Sequence, residues 1–227
     1  MADESVEIAN QQAEMARQQM ELAKQQVEVS NAAIMSIAKA VDAKDVRTSQ
    51  HSSRVSQYSE MLARHLGFTD AECENIRKAA LVHDIGKIGI PDAILNKPGK
   101  LTDEEYATMK THVSKGAEIL KDITFIDHVV DGALYHHERW DGKGYVHGLK
   151  GEEIPLYGRI IGVADAFDAM TANRVYRNHL DKDEVIAELK RCRGTQFDPE
   201  IDDIMLSMIE SGEIDMDWLY QQIDQGK

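Results

Sequence analysis

The chain is expected to fold as an all-α protein. Three observations predict this. Helical periodicity recurs along most of its 227 residues. No stretch alternates polar and apolar residues as a half-buried strand would. Glycine and proline fall mainly between the periodic segments rather than inside them.

The N-terminal segment sets the pattern. Residues 4–46 contain neither proline nor glycine. IANQQAE, MARQQME and LAKQQVE begin at Ile8, Met15 and Leu22, a period of seven, and a looser VSNAAIM begins at Val29. Val6, Ala9, Ala13, Ala16, Met20, Ala23, Val27, Ser30, Ile34, Ile37 and Val41 are spaced alternately by three and four. That is a heptad seam. It predicts a long coiled-coil helix over residues 1–45, a parallel dimer joining an upstream sensor or partner to a domain over 46–227. The alternative is an amphipathic helix folded back on its own domain. A sustained seven-residue register favours the coiled coil.

The domain reads as a series of capped helices. Val55, Tyr58, Met61, Leu62 and Leu66 form one apolar face, closed by Gly67. Thr69 or Asp70 caps the next helix, which runs into residues 81–91. Pro91 to Gly99 is expected as a loop with a short turn. Thr102 and Glu105 form a capping box, Gly116 reads as a breaker, and residues 123–137 read as an apolar helix. Residues 139–158 hold five glycines and a proline and form the long irregular segment. Arg159 to Ala172 is expected as a buried helix. Asp183 is expected to cap the helix that ends near Cys192, and Pro199 to open another.

Composition narrows the function. A net charge of −14 argues against binding long nucleic acid through a basic face. The two cysteines lack metal-site spacing and suggest a reducing compartment. No apolar run approaches the roughly 20 residues that span a bilayer, and no signal-peptide pattern is present. Together these lead us to expect a cytoplasmic protein with no membrane insertion.

The chemistry concentrates around LVHDIGKIGIP, residues 81–91. His83 and Asp84 offer adjacent nitrogen and oxygen ligands, and Lys87 falls on the same face if this stretch is helical. Further ligands lie downstream and upstream: His112 in HVSKG, His136 and His137 in HHERWDGKGY, Asp165 in VADAFDAM, and His51 in HSSRV. Seven such residues are too many for one ion and suit two, with Asp84 as the bridge. Mixed nitrogen and oxygen donors suit Fe or Mn, with Zn or Ni as alternatives. Two divalent ions would supply an activated water and stabilise both oxygens of an in-line phosphoryl displacement. Lys87 would contact a phosphate oxygen. Asp165 has a plainer reading as a buried acid paired with Arg159. Glu138 and Asp141 read equally as orienters of ligating imidazoles or as caps of the irregular loop, and Asp168 is similar. Trp140 reads equally as a guanine stack or a core side chain. His65, His128, His147 and His179 fit no motif.

In order and spacing, HD with IGKIGIP, HxxxG, HHExxDGxGY, DxxDAM, NRVYR and GTQFDP resemble the HD-GYP family of metal-dependent phosphohydrolases over about residues 40–210. The resemblance implies an HD-type helical bundle, a metal centre, and hydrolysis of cyclic di-GMP to pGpG and GMP. It implies metal ligation by His51, His83, Asp84, His112, His136, His137 and Asp165, catalysis by Asp84 and Lys87, and substrate contacts by Lys87, Tyr145, Arg174 and Arg177. Guanidinium forks suit phosphate. Two departures qualify it. Val146 stands where the family motif has proline, which leaves open a cyclic dinucleotide such as cyclic GMP-AMP, or a weakly catalytic module that binds ligand or a signalling partner. Arg47 stands where some members place a third-metal glutamate, so two ions are expected, with Asp45 as an outer ligand at most.

Overall fold

A computed structural model describes residues 2–45, 50–172 and 179–225. It divides into two units, residues 1–37 and 38–227. Among the described residues there are helices and no β-strands, as the periodicity predicts. No helix among them is long and apolar enough to cross a membrane.

The first helix, α1, spans Ala2–Lys44. Its described side chains from residue 10 to residue 29 are exposed, including Met15, Met20, Leu22, Val27 and Val29. An apolar seam exposed to water for this length is costly unless another surface covers it.

In the second unit, α2 (His51–His65) and α3 (Asp70–Leu81) form an antiparallel pair. They pack with α7 (Val129–Tyr135) and α8 (Leu156–Thr171). Between them lie α4 (Asp92–Leu95), α5 (Asp103–Lys110) and α6 (His112–Leu120). The chain continues as α9 (Lys182–Cys192), α10 (Pro199–Glu210) and α11 (Met216–Gln225). The core is aliphatic: Val55, Leu62, Ile76, Ile160, Ile161, Met205 and Ile209 are fully buried. Phe167 meets Tyr58 edge-on with ring centres 4.9 Å apart, burial that contributes about 1.5–3 kcal/mol for the Phe167 side chain alone.

Most helix starts follow their sequence signals. Thr69 with Glu72 and Thr102 with Glu105 form capping boxes, and Pro199 opens α10 behind the cap Asp198. Gly67 takes φ 84° just past the end of α2, the left-handed conformation that glycine adopts without a Cβ penalty.

Four expectations are corrected. The cap of α9 is Asp181, paired reciprocally with Glu184, rather than Asp183. The helix expected over 123–137 is only α7; His128, at φ 57°, starts it abruptly, while Ile126 anchors the preceding irregular turn in the core. Gly116 is no breaker but lies inside α6. A Cβ on Gly86 would sit 1.8 Å from the His112 carbonyl oxygen and 2.5 Å from the Gly116 nitrogen. The glycines let two backbones touch. Finally, His83 and Asp84 do not continue α3. They occupy a turn before a 3₁₀ segment, Ile85–Gly89, whose tighter winding sets Lys87 against Asp84 rather than in a helical row with His83.

Candidate metal centre

The site is assembled from α2, the turn after α3, α6, the end of α7, and α8. His51 begins α2. His83 and Asp84 leave α3 at its C-terminal turn. His112 begins α6, pressed against that turn by the Gly86–Gly116 approach. His136 and His137 end α7. A Cβ on Gly162 would lie 2.7 Å from the His136 carbonyl oxygen, so α8 comes close enough to bring Asp165 into the same space.

All seven expected ligands converge, in two groups. Asp84, His112, His136 and His137 form one, and His51, His83 and Asp165 the other; within each, one donor atom per residue lies within 4.8 Å of the rest. Asp84 stands between them. Its Oδ1 lies 3.3 Å from His112 Nε2 and 3.8 Å from His136 Nε2. Its Oδ2 lies 3.4 Å from His83 Nε2 and 3.7 Å from His51 Nε2. His51 Nε2 lies 3.3 Å from Asp165 Oδ1. Donors each about 2.1 Å from a shared ion sit roughly 3–4 Å apart, which is this spacing.

The imidazoles are oriented for ligation. His83 Nδ1 donates to the Ala80 carbonyl at 2.6 Å, His112 Nδ1 to the Met109 carbonyl at 2.8 Å, and His136 Nδ1 to the Ala133 carbonyl at 3.0 Å. That fixes each ring with a lone pair on Nε2. Those three Nε2 atoms and Asp84 Oδ1 are buried without a hydrogen-bond partner. Four orphaned polar atoms in one place would cost several kcal/mol, and a divalent cation satisfies all of them. The residues therefore fit a metal ion.

The electrostatics agree. Burial works to raise the Asp84 pKa, but Lys87 and His83 hold the carboxyl well below the usual range. Burial also works against a charged Lys87, and Asp84 and Asp45 outweigh it. Lys87 Nζ lies 2.7 Å from Asp84 and 2.9 Å from Asp45. Burial pushes His136 down, helped by His137, and pushes His137 down to about 3, helped by His112. At His51 burial is overcome by Asp168 and Asp84, and the pKa rises to about 10.

The remaining sequence candidates divide. Asp168 receives His51 Nδ1 at 2.7 Å and the Arg54 guanidinium, so it orients the ring. Glu138 and Asp141 serve the loop instead. Glu138 accepts the His147 and Gly148 amides at 2.7 and 3.0 Å, and Asp141 the Lys143 amide at 3.0 Å. Arg159 pairs with Asp198 at 2.6 Å rather than with Asp165. Tyr145 stacks on His137 with centres 4.9 Å apart and lines, with Lys87, Tyr106, His51, Asp84, His112, His137 and Asp165, a cavity of about 280 Å³. Trp140, half-buried and 5.9 Å from the Arg159 guanidinium, lines a neighbouring one of about 390 Å³. Val146 is exposed. Arg174, Arg177 and Arg47 lie outside the described residues. Reading the sequence missed Arg54 and Lys44. The first was detectable as a cation one helical turn after His51; the second had no local signal.

Comparison with known proteins gives the family. A family model described as HD domain matches residues 35–201. The chain is 39% identical over 175 residues to 3′3′-cGAMP-specific phosphodiesterase 2 of Vibrio cholerae serotype O1, covering 76% of this chain and 34% of that one. It is 44% identical over 172 residues to the cyclic di-GMP phosphodiesterase response regulator RpfG of Xanthomonas campestris pv. campestris, covering 75% of this chain and 46% of that one. The chain thus spans less than half the length of these relatives. A crystal structure of a cyclic GMP-AMP-specific phosphodiesterase of V. cholerae superposes with a TM-score of 0.62 at 19% identity, over 84% of this chain and 53% of that one, a likeness of fold. On the match to its family model, the motifs and the helical bundle that carries them, this chain belongs to the HD domain family, in its HD-GYP group.

Proposed function

We propose that the protein is a two-metal phosphodiesterase that hydrolyses cyclic di-GMP to the linear dinucleotide pGpG. The observation that carries this reading is the position of Asp84, with one oxygen facing His112 and His136 and the other facing His51 and His83. A carboxylate so placed could serve as a ligand to two ions at once. Asp84, His112, His136 and His137 would hold one ion, and His51, His83, Asp165 and Asp84 the other, Fe or Mn being the best suited. Bound there, the ions supply Lewis-acid stabilisation of an in-line phosphoryl displacement.

The protein's own groups do the rest. Lys87 points into the same cavity, where its ammonium can hold a non-bridging phosphate oxygen. Asp168 holds the His51 ring so that Nε2 faces the centre. Tyr145, stacked on His137, forms the wall against which a nucleotide would lie. Arg174 and Arg177 are assigned to the substrate phosphates. The acidic chain favours a small ligand gripped by these few cations over long nucleic acid.

A second reading has support of its own, because some relatives carry names specific for 3′3′-cGAMP. Protein loaded with Mn or Fe, given cyclic di-GMP and cyclic GMP-AMP in parallel, should release linear dinucleotide from cyclic di-GMP faster. Preference for the mixed dinucleotide would move the assignment to that substrate; binding without product would leave a ligand-binding module. The heptad seam, exposed from residue 10 to residue 29 although Ile34 and Val41 are buried, supports dimerisation through the N-terminal part of the helix expected over residues 1–45. Light scattering should find a dimer that becomes a monomer when residues 1–37 are removed, and a truncated protein that remains dimeric rules this interface out.

A further inference from the structure

Lys44 is the last residue of α1, and its side chain makes an unusual set of contacts. Its Nζ donates to three backbone carbonyls of a single turn: Ile88 at 2.7 Å, Ile90 at 2.8 Å and Lys87 at 3.2 Å. An ammonium has three protons, and each finds a carbonyl oxygen. From the end of α4, Asn96 Nδ2 donates back to the Lys44 carbonyl at 3.0 Å. The next residue, Asp45, is buried and accepts from Lys87 Nζ at 2.9 Å. Two consecutive residues therefore hold both ends of Lys87, Lys44 its backbone and Asp45 its ammonium.

We propose that Lys44 and Asp45 are positioning residues for Lys87, clasping the turn that carries it so that its ammonium faces the substrate phosphate. This rests on the phosphodiesterase reading. The geometry of Lys87 gives the reason. Two of its protons are directed at Asp84 and Asp45. A tetrahedral ammonium held at two corners has its third proton aimed in one direction, and Lys87 lines the cavity beside the metal ligands. Without Asp45 the ammonium turns about Asp84. Without Lys44 the backbone carbonyls of residues 87, 88 and 90 lose their shared cation and the turn loosens. The end of α1 thus reaches Lys87 through two consecutive side chains, those of Lys44 and Asp45.

The test uses the full Mn-loaded chain with Lys44→Met, Lys87→Met and the double variant. Lys44→Met should lower kcat by about 10- to 100-fold, the effect of misplacing a group by about 1 Å, with bound Mn and melting temperature near wild type. The double variant should be no slower than Lys87→Met alone, because the clasp acts through Lys87. Losses that multiply overturn the proposal. Amide hydrogen exchange over residues 85–96 gives a readout independent of turnover, and Lys44→Met should speed it at the Lys87 and Ile90 amides. Unchanged exchange overturns the clasp. If the wild type hydrolyses no cyclic dinucleotide, the functional reading falls while exchange still decides the clasp. Should Lys44→Met fold poorly, Asp45→Asn carries the same kinetic expectation with the turn's carbonyls still capped.

Discussion

The two halves of the metal centre share Asp84 but are built differently. His112 and His136 are tied through Nδ1 to carbonyls of their own helical turns, and burial holds His136 and His137 neutral. That half is ready for a cation as folded. In the other half His51 is tied to a carboxylate, Asp168, which is held in turn by Arg54. Acidic neighbours outweigh burial there and raise His51 to about 10, with His83 raised as well, chiefly by Asp84 against the opposing burial. An ion entering that half must displace a proton first. His83 has the same kind of backbone anchor as His112 and His136, its Nδ1 on the Ala80 carbonyl, yet it sits among the acids, so the neighbouring charge rather than the anchor sets the proton load of each half.

The harshest way to break this comparison is to remove what the halves share. Asp84→Ala should reduce hydrolysis to background and bound metal, measured by elemental analysis, to well under one ion per chain. A variant that keeps a full equivalent shows that one half stands without the bridge. Asp168→Asn should then separate the halves, weakening metal binding at the His51 side about 10- to 100-fold while leaving the His112 side near wild type. Equal weakening at both would contradict the division.

Proton coupling sharpens it further. His51 binds a proton up to about pH 10 when no ion is present, so metal affinity at its half should rise with pH across 6–8, by up to about tenfold per unit. The other half, whose His136 and His137 rings burial already holds neutral, should rise less steeply. Calorimetry in buffers of different ionisation enthalpy measures the protons released; equal release by both ions would remove the distinction.

A stability effect remote from turnover concerns Asp202, a buried acid outside the centre. Both its oxygens are buried without a hydrogen-bond partner. Burial, then Asp203, pushes its pKa up to about 7, where Asp84, compensated by Lys87, goes down. The native state therefore holds this proton more tightly than the unfolded chain. Stability is fully present below the unfolded value near 3.8 and is lost as pH rises to about 7. Asp202→Asn should recover on the order of 1–4 kcal/mol at pH 8 and almost nothing at pH 4, read from denaturation midpoints. A difference independent of pH would mean that Asp202 acts by packing alone.

Much of this was legible in the chain. Thr69, Thr102 and Pro199 mark their helix starts because capping is local chemistry between residues three apart. The ligand types could be listed because a histidine or an acid in an apolar helical context is chemically conspicuous. The short reach of those signals explains the misses. Gly116 read as a breaker because nothing near it in sequence shows that Gly86 packs against it. The plainer reading of Asp165 pairs it with Arg159, six residues back, but the partner of Arg159 is Asp198, the cap of α10. The His83–Asp84 turn read as helix because the switch to 3₁₀ winding follows from contact with α6.

By itself, the sequence determined the all-α class, the heptad segment, the capped helices and the set of groups able to bind metal, since each depends on residue type and spacing along one chain. Only the tertiary structure decided which ligands stand together, that each oxygen of Asp84 faces a different histidine pair, that His51 answers to Asp168 while His112 and His136 answer to backbone, and that Lys44 holds the turn of Lys87. Those relations join residues from separate helices, and the close backbone approaches at Gly86 and Gly162 that create them exist only once the helices have packed.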